Sequence, residues 1–188
     1  MSNQDDERLM QPAKIPMWPL ALRYGLIIAL ALFVVTLVLS FTGLTDIAAR
    51  KGMWLSILLT LVVFFGGLYV AVKDYKKESG NLIAFGRALG FGTLTVLVIC
   101  VAGVVLNWIY FQFIDPDIIN QIMDMQTAQF EAQGMDDEQI EQTQKMMGFM
   151  MNPIGMAISG LFNSFIFGFI GALIAAAIHQ NAKPAANI

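Results

Sequence analysis

LALRYGLIIALALFVVTLVLSF, residues 20–41, is the stretch on which the fold turns. Its only charge is Arg23, near enough to the start for the long side chain to reach a headgroup layer. A hydrocarbon core about 30 Å thick needs about 20 apolar residues in a helix rising about 1.5 Å per residue, so this run can span a bilayer. Three more runs do the same, at 53–72, 89–114 and 153–178, and none of these holds an Asp, Glu, Lys or Arg. The whole chain agrees: its 188 residues are 57% hydrophobic and 13% charged, with a mean hydropathy of +0.65, too apolar for an ordinary soluble domain. Trp18, Trp54, Trp108 and Tyr110 fall near the run ends, and Tyr69 and Tyr75 bracket the exit of the second, where amphipathic rings favour an interface.

The first run is longer than the apolar part of a signal peptide, follows the acidic Asp5-Asp6-Glu7, and has no convincing small-residue cleavage site after it. It reads as a retained anchor. The expected organisation is a polar tail at 1–17, one membrane domain at 18–182 and a short tail at 183–188. Counting Lys and Arg orients it. Arg8, Lys14, Arg23, Lys73, Lys76, Lys77, Arg87 and Lys183 fall on one side, against Arg50, Lys51 and Lys145 on the other. The positive-inside rule puts the first group, with both termini, in the cytoplasm. The Gly43–Gly52 turn and residues 115–152 then face outward, which in a Gram-negative cell is the periplasm.

Residues 115–152 hold eight acids against one Lys, a net of −7, and they read as a helical hairpin. Asp115 is placed to cap a helix whose first turn contains Pro116, a residue with no N–H to leave unbonded there. Gly134 suits the position just past the helix end, pairing Phe130 with Met135 in a Schellman motif. Asp136 then caps the second helix, Gln139 completes a capping box, and Met135 can staple onto Ile140. Asn152 and Pro153 repeat the cap-then-proline device before the fourth span. On the first hairpin helix Ile118, Ile119, Ile122, Met123, Gln126 and Phe130 share a face, leaving Asp117, Asp124 and Glu131 for solvent. A helix lying on lipid would usually be basic, so the expected contacts are the span ends, the partner helix or another protein. The fold class that follows is all-α: four transmembrane helices with an extracytoplasmic amphipathic hairpin between the third and fourth.

Within the spans, Gly160, Ser164, Gly168, Ala172 and Ala176 recur every four residues, and Gly86 and Gly90, with Gly92 beyond, open the third span. Small residues at that spacing let helix backbones approach closely, which makes the third and fourth spans the expected tight pair; a homodimer seam is the rival use.

The order of these features carries a resemblance. Tyr24-Gly25 opens the first span, and Phe85-Gly86 with Gly90 and Gly92 opens the third. Phe113-Ile114-Asp115-Pro116-Asp117 closes the third, and residues 133–141, QGMDDEQIE, and Asn152-Pro153 follow. This pattern resembles the bacterial membrane family catalogued as domain of unknown function 4199. The resemblance implies a four-span bacterial inner-membrane protein, and it supplies no catalytic or binding residues to carry over.

Chemistry is sparse. Met146, Met147, Met150 and Met151 sit at helical spacings that would gather soft thioether sulfurs, as a Cu(I) site does, but no Cys or His accompanies them, and packing is the preferred reading. The single cysteine, Cys100, lies in an apolar run without a disulfide partner or ligand set. Asn107 and Asn163 are the strongest hydrogen-bonding side chains within the spans, and His179 ends the last span beside Gln180 and Asn181. No nucleophile with a base, membrane carboxylate pair, phosphate loop or zinc motif is present, so the expectation is no enzyme, no cofactor, no metal and no nucleic acid. What remains is a structural or interaction protein of the cell envelope, bound to the bilayer, with 115–152 offered to another envelope protein. An oligomeric small-solute transporter or channel is the alternative.

Overall fold

The structure is a computed structural model, and it describes residues 15–44, 52–151 and 153–181. Most of the expected 1–17 tail, the turn at 45–51, the Asn152 cap and the 183–188 tail lie outside the described residues. The described residues form helices α1 (Met17–Thr42), α2 (Met53–Glu78), α3 (Phe85–Ile109), α4 (Ile118–Ala132), α5 (Asp137–Met151) and α6 (Pro153–His179), with no strand among them. Four helical stretches, Met17–Thr42, Trp54–Glu78, Phe85–Ile114 and Ile158–His179, are long and apolar enough to cross a membrane.

The helices outrun the apolar runs. α2 continues past Val72 through Lys73, Asp74, Lys76 and Lys77 to Glu78, and α3 starts at Phe85, before Leu89. Polar residues at a membrane surface need not end a helix, because the hydrogen-bond ladder continues into water at little cost. Lys76 and Lys77 in the last turn of α2 also face the partial negative charge of its carbonyls.

α3 is the central element, packed along α6 on one side and α1 on the other; α2 bridges all three, and α1 and α6 lie diagonally opposed. Buried side chains concentrate at the end where the chain enters α1 and leaves α6, here the terminal end. One cluster there joins Ala21 of α1, Val72 and Tyr75 of α2, Phe91 of α3 and Ala175 and Ala176 of α6. Tyr75 is fully buried with its ring stacked on Phe91, centroids 4.3 Å apart. A second cluster deeper in the bundle joins Ile28, Leu68, Val96, Ile99 and Cys100.

Towards the opposite, hairpin end the bundle loosens. No residue of α2 from Trp54 to Gly67, and none of α6 from Ile158 to Phe167, is buried. α1 and α3 stay joined there through Leu39, Tyr110 and a 2.7 Å hydrogen bond between the Ser40 and Tyr110 hydroxyls, while Leu161 and Phe165 of α6 reach the second cluster half-buried. Large apolar side chains cover the outside, among them Phe41, Trp54, Val101 and Phe162 at 77, 84, 62 and 70% exposure. Such a surface would aggregate in water and is at home in hydrocarbon.

Candidate functional site at the helical hairpin

The hairpin leaves the membrane domain through a widened turn. Residues Tyr110–Ile114 are π-helical, and the Asp115 N–H donates to the Tyr110 carbonyl at 3.0 Å, five residues back. Asp115 is then extended, at φ −139° and ψ 80°, because a residue before proline is pushed out of the helical region. The expectation that Asp115 caps a helix whose first turn contains Pro116 is corrected here. Asp115 makes no capping hydrogen bond; Pro116 and Asp117 form a further turn, and α4 starts at Ile118 with Asp117 in the cap position. The first helical bond, Gln121 N–H to the Asp117 carbonyl, is 3.0 Å.

The turn between α4 and α5 is closed from both sides. Gly134 sits at φ +79°, and its N–H donates to the Glu131 carbonyl at 2.9 Å while the Met135 N–H donates to that of Phe130 at 3.1 Å. These are the two bonds of a Schellman motif, and they require a left-handed residue at position 134. Immediately after, the Gln139 N–H donates to the Asp136 carboxylate at 2.8 Å and the Asp136 N–H to Gln139 Oε1 at 3.3 Å, the reciprocal pair of a capping box. Ile140 is buried, and Met135, five residues before it, is half-buried.

Among the described side chains Ile122, Met125, Gln126, Thr127, Gln129 and Phe130 are the half-buried positions of α4, and α4 packs on α5. Gln144 Nε2 donates to the Thr127 hydroxyl at 2.8 Å across that contact. Asp117, Asp124 and Glu131 are exposed at seven-residue intervals on the other face. On α5, Lys145 pairs with Glu141 at 2.6 Å on the open surface, a pair worth little to stability. The side chains of Ile118, Ile119 and Met146–Met151, and with them the thioether cluster, lie outside the described residues.

The packing glycines divide. A Cβ on Gly92 would stand 2.9 Å from Ala172 Cβ, and one on Gly168 would stand 3.0 Å from Val96 Cγ2 and 3.2 Å from Phe64 Cζ. Ala172 and Ala176 are buried in the same interface. Gly86, Gly90, Gly160 and Ser164 are exposed, so only part of each small-residue row meets a neighbour within the chain. Two glycines outside those small-residue rows also mark close approaches. A Cβ on Gly25 would stand 2.6 Å from Val98 Cβ and one on Gly67 2.6 Å from Ile28 Cγ1, fixing α1 against α3 and α2.

A polar latch closes the terminal end. The Tyr24 hydroxyl donates to Asp74 Oδ2 at 2.5 Å, and Lys77 pairs with the other oxygen at 3.0 Å. Asn181 bonds the α2–α3 turn three ways: its N–H to the Ile83 carbonyl at 3.1 Å, its Oδ1 from the Ile83 N–H at 3.0 Å, and its Nδ2 to the Asn81 carbonyl at 2.7 Å. His179 is buried against the Tyr69 ring, centroids 4.5 Å apart. Asn107 bonds back to its own helix, Nδ2 to the Gly103 carbonyl at 2.9 Å, and Asn163 is exposed. Among the described residues no three His, Cys, Asp or Glu side chains converge.

No curated protein and no solved structure matches the chain. A match to a family does exist and covers the hairpin and the four spans from Arg23 onward: residues 23–181 fit the family described as Protein of unknown function (DUF4199), and the chain belongs to it.

Proposed function

We propose that this membrane protein is an accessory of the cell envelope, seated in the inner membrane with both termini cytoplasmic, whose hairpin α4–α5 is the outward surface for another envelope protein. One observation carries the reading. Asp117, Asp124 and Glu131 stand in line on the exposed face of a hairpin whose turn is fixed by its own backbone bonds. A stiff acidic ridge is suited to a basic partner surface, because complementary charge steers encounter and sets register. Arg23, Lys73, Lys76, Lys77 and Arg87 gather at the terminal end, which supports the cytoplasmic assignment.

The exposure of Asn107 and Asn163 favours a second reading, a small-solute transporter or channel. Their amides lie outside an apolar bundle core, so such a path would be built between copies.

Purification from native membranes in mild detergent separates the two. A stoichiometric companion should copurify, and Asp117→Lys, Asp124→Lys and Glu131→Lys together should release it while Asn107→Leu does not. A companion-free homo-oligomer with solute flux in liposomes, abolished by Asn107→Leu, would replace the accessory reading. Orientation is read by Gln133→Cys in a Cys100→Ala background, with an impermeant maleimide on intact cells; labelling is expected, and protection would reverse it.

A further inference from the structure

Asn163 lies on the exposed side of α6 within its apolar run, and its amide has no hydrogen-bond partner among the described residues. Asn107, by contrast, is bonded to the Gly103 carbonyl. An amide facing hydrocarbon has no water to bond, and that desolvation is unfavourable until another protein group meets it. The neighbouring surface is open. A Cβ on Gly160 would find nothing within 4 Å, and Ser164 is exposed. α2 reaches α6 at Gly168 and Gly171, through Phe64, Phe65 and Leu68, and from Trp54 to Gly67 it has no buried residue.

We propose that this face is where two copies of the chain associate, α6 against α6, with Asn163 of one copy bonded to Asn163 of the other across a two-fold axis along the bilayer normal. Depth selects the occupant. Copies inserted in one orientation carry Asn163 at the same height, so the axis brings amide to amide with no adjustment. The amide has donors and an acceptor, which makes the pair self-complementary, as an isologous contact requires. A foreign helix must supply a polar group at that depth, and an acyl chain has none. Gly160 and Ser164, three residues before and one after, leave room for the second backbone.

The test uses the full chain in native membranes. In a Cys100→Ala background, Asn163→Cys and Gly160→Cys should form disulfide-linked homodimers on mild oxidation. Phe162→Cys, also exposed but about 100° around the helix, should not. In phospholipid vesicles, fluorescence transfer between labelled copies should show Asn163→Leu weakening self-association about three- to thirtyfold, the range of one interhelical hydrogen bond. The substituted side chain is outside the core, so unreactive Cys100 in the Asn163→Leu protein will show that the bundle is intact. Equal cross-linking at positions 162 and 163, linkage to a different protein, no dimer, or an unchanged association constant each overturns the proposal.

Discussion

Gly160 and Gly168 belong to the same row of small residues, yet the structure assigns opposite consequences to giving each a methyl group. At Gly168 the added Cβ would press on Val96 and stand 3.2 Å from Phe64 Cζ; at Gly160 it would meet nothing within 4 Å. Alanine in place of glycine inside a helix gains about 1 kcal/mol from backbone entropy at either site. Overpacking a well-filled interface costs about 1–3 kcal/mol, because helices or side chains must shift to admit the methyl. In the separated single chain Gly160→Ala should therefore stabilise slightly, and Gly168→Ala should be neutral to about 2 kcal/mol destabilising. The helix-propensity gain cancels in the comparison, so the difference of about 1–3 kcal/mol isolates the close approach of α3 and α6. Cys100, the single cysteine and 5% exposed, reports the transition without added labels. Detergent-solubilised protein is heated with a thiol-reactive dye, and the midpoint of Cys100 labelling is compared between variants. At about 2–4 °C per kcal/mol, Gly168→Ala should melt at least a few degrees below Gly160→Ala. Equal midpoints would refute the packing of α6 on Val96.

Gly134→Ala should loosen the hairpin by about 1 kcal/mol, because φ +79° strains any side-chain-bearing residue; hydrogen exchange across 118–144 should speed up while the spans keep their protection. Asp136→Ala should cost a similar amount through the lost cap, and Asp115→Ala almost nothing, an ordering that a capping role for Asp115 would invert. Asn181→Ala leaves the Ile83 N–H of a fully buried residue without its acceptor and should cost about 1–3 kcal/mol, seen as a lower Cys100 midpoint; Gln180→Ala, exposed beside it, is the control.

The features legible in the sequence are those that a few adjacent residues or one solvent boundary determine. Four apolar runs give four spans because the bilayer imposes their length. Gly134, Asp136 and Gln139 specify a turn because every bond of the Schellman motif and the capping box lies within a few residues. Hydropathy marks the spans and leaves the helix ends to hydrogen bonding: α2 runs on to Glu78 through charged residues, and α3 ends in a π-turn that moves the start of α4 past Pro116. A row of small residues shows that close packing is possible and leaves open which members are used. Gly92 meets Ala172 while Gly86 and Gly90 stay exposed, since the crossing of two helices determines the contact. The Asn181 latch joins residues about a hundred positions apart, a distance no local pattern encodes.

The uneven distribution of the core has a mechanical meaning. α6 is buried from Gly168 onward, whereas over Ile158–Phe167, about 15 Å at about 1.5 Å per residue, it touches the core only through the half-buried Leu161 and Phe165. The hairpin is attached to that lightly held arm on one side and to α3, tied to α1 at Tyr110, on the other. A load on the hairpin thus acts on one fixed post and one sprung post. The compliant direction is a swing of α6 about Gly168, so a load on the hairpin changes first the spacing between α6 and α2.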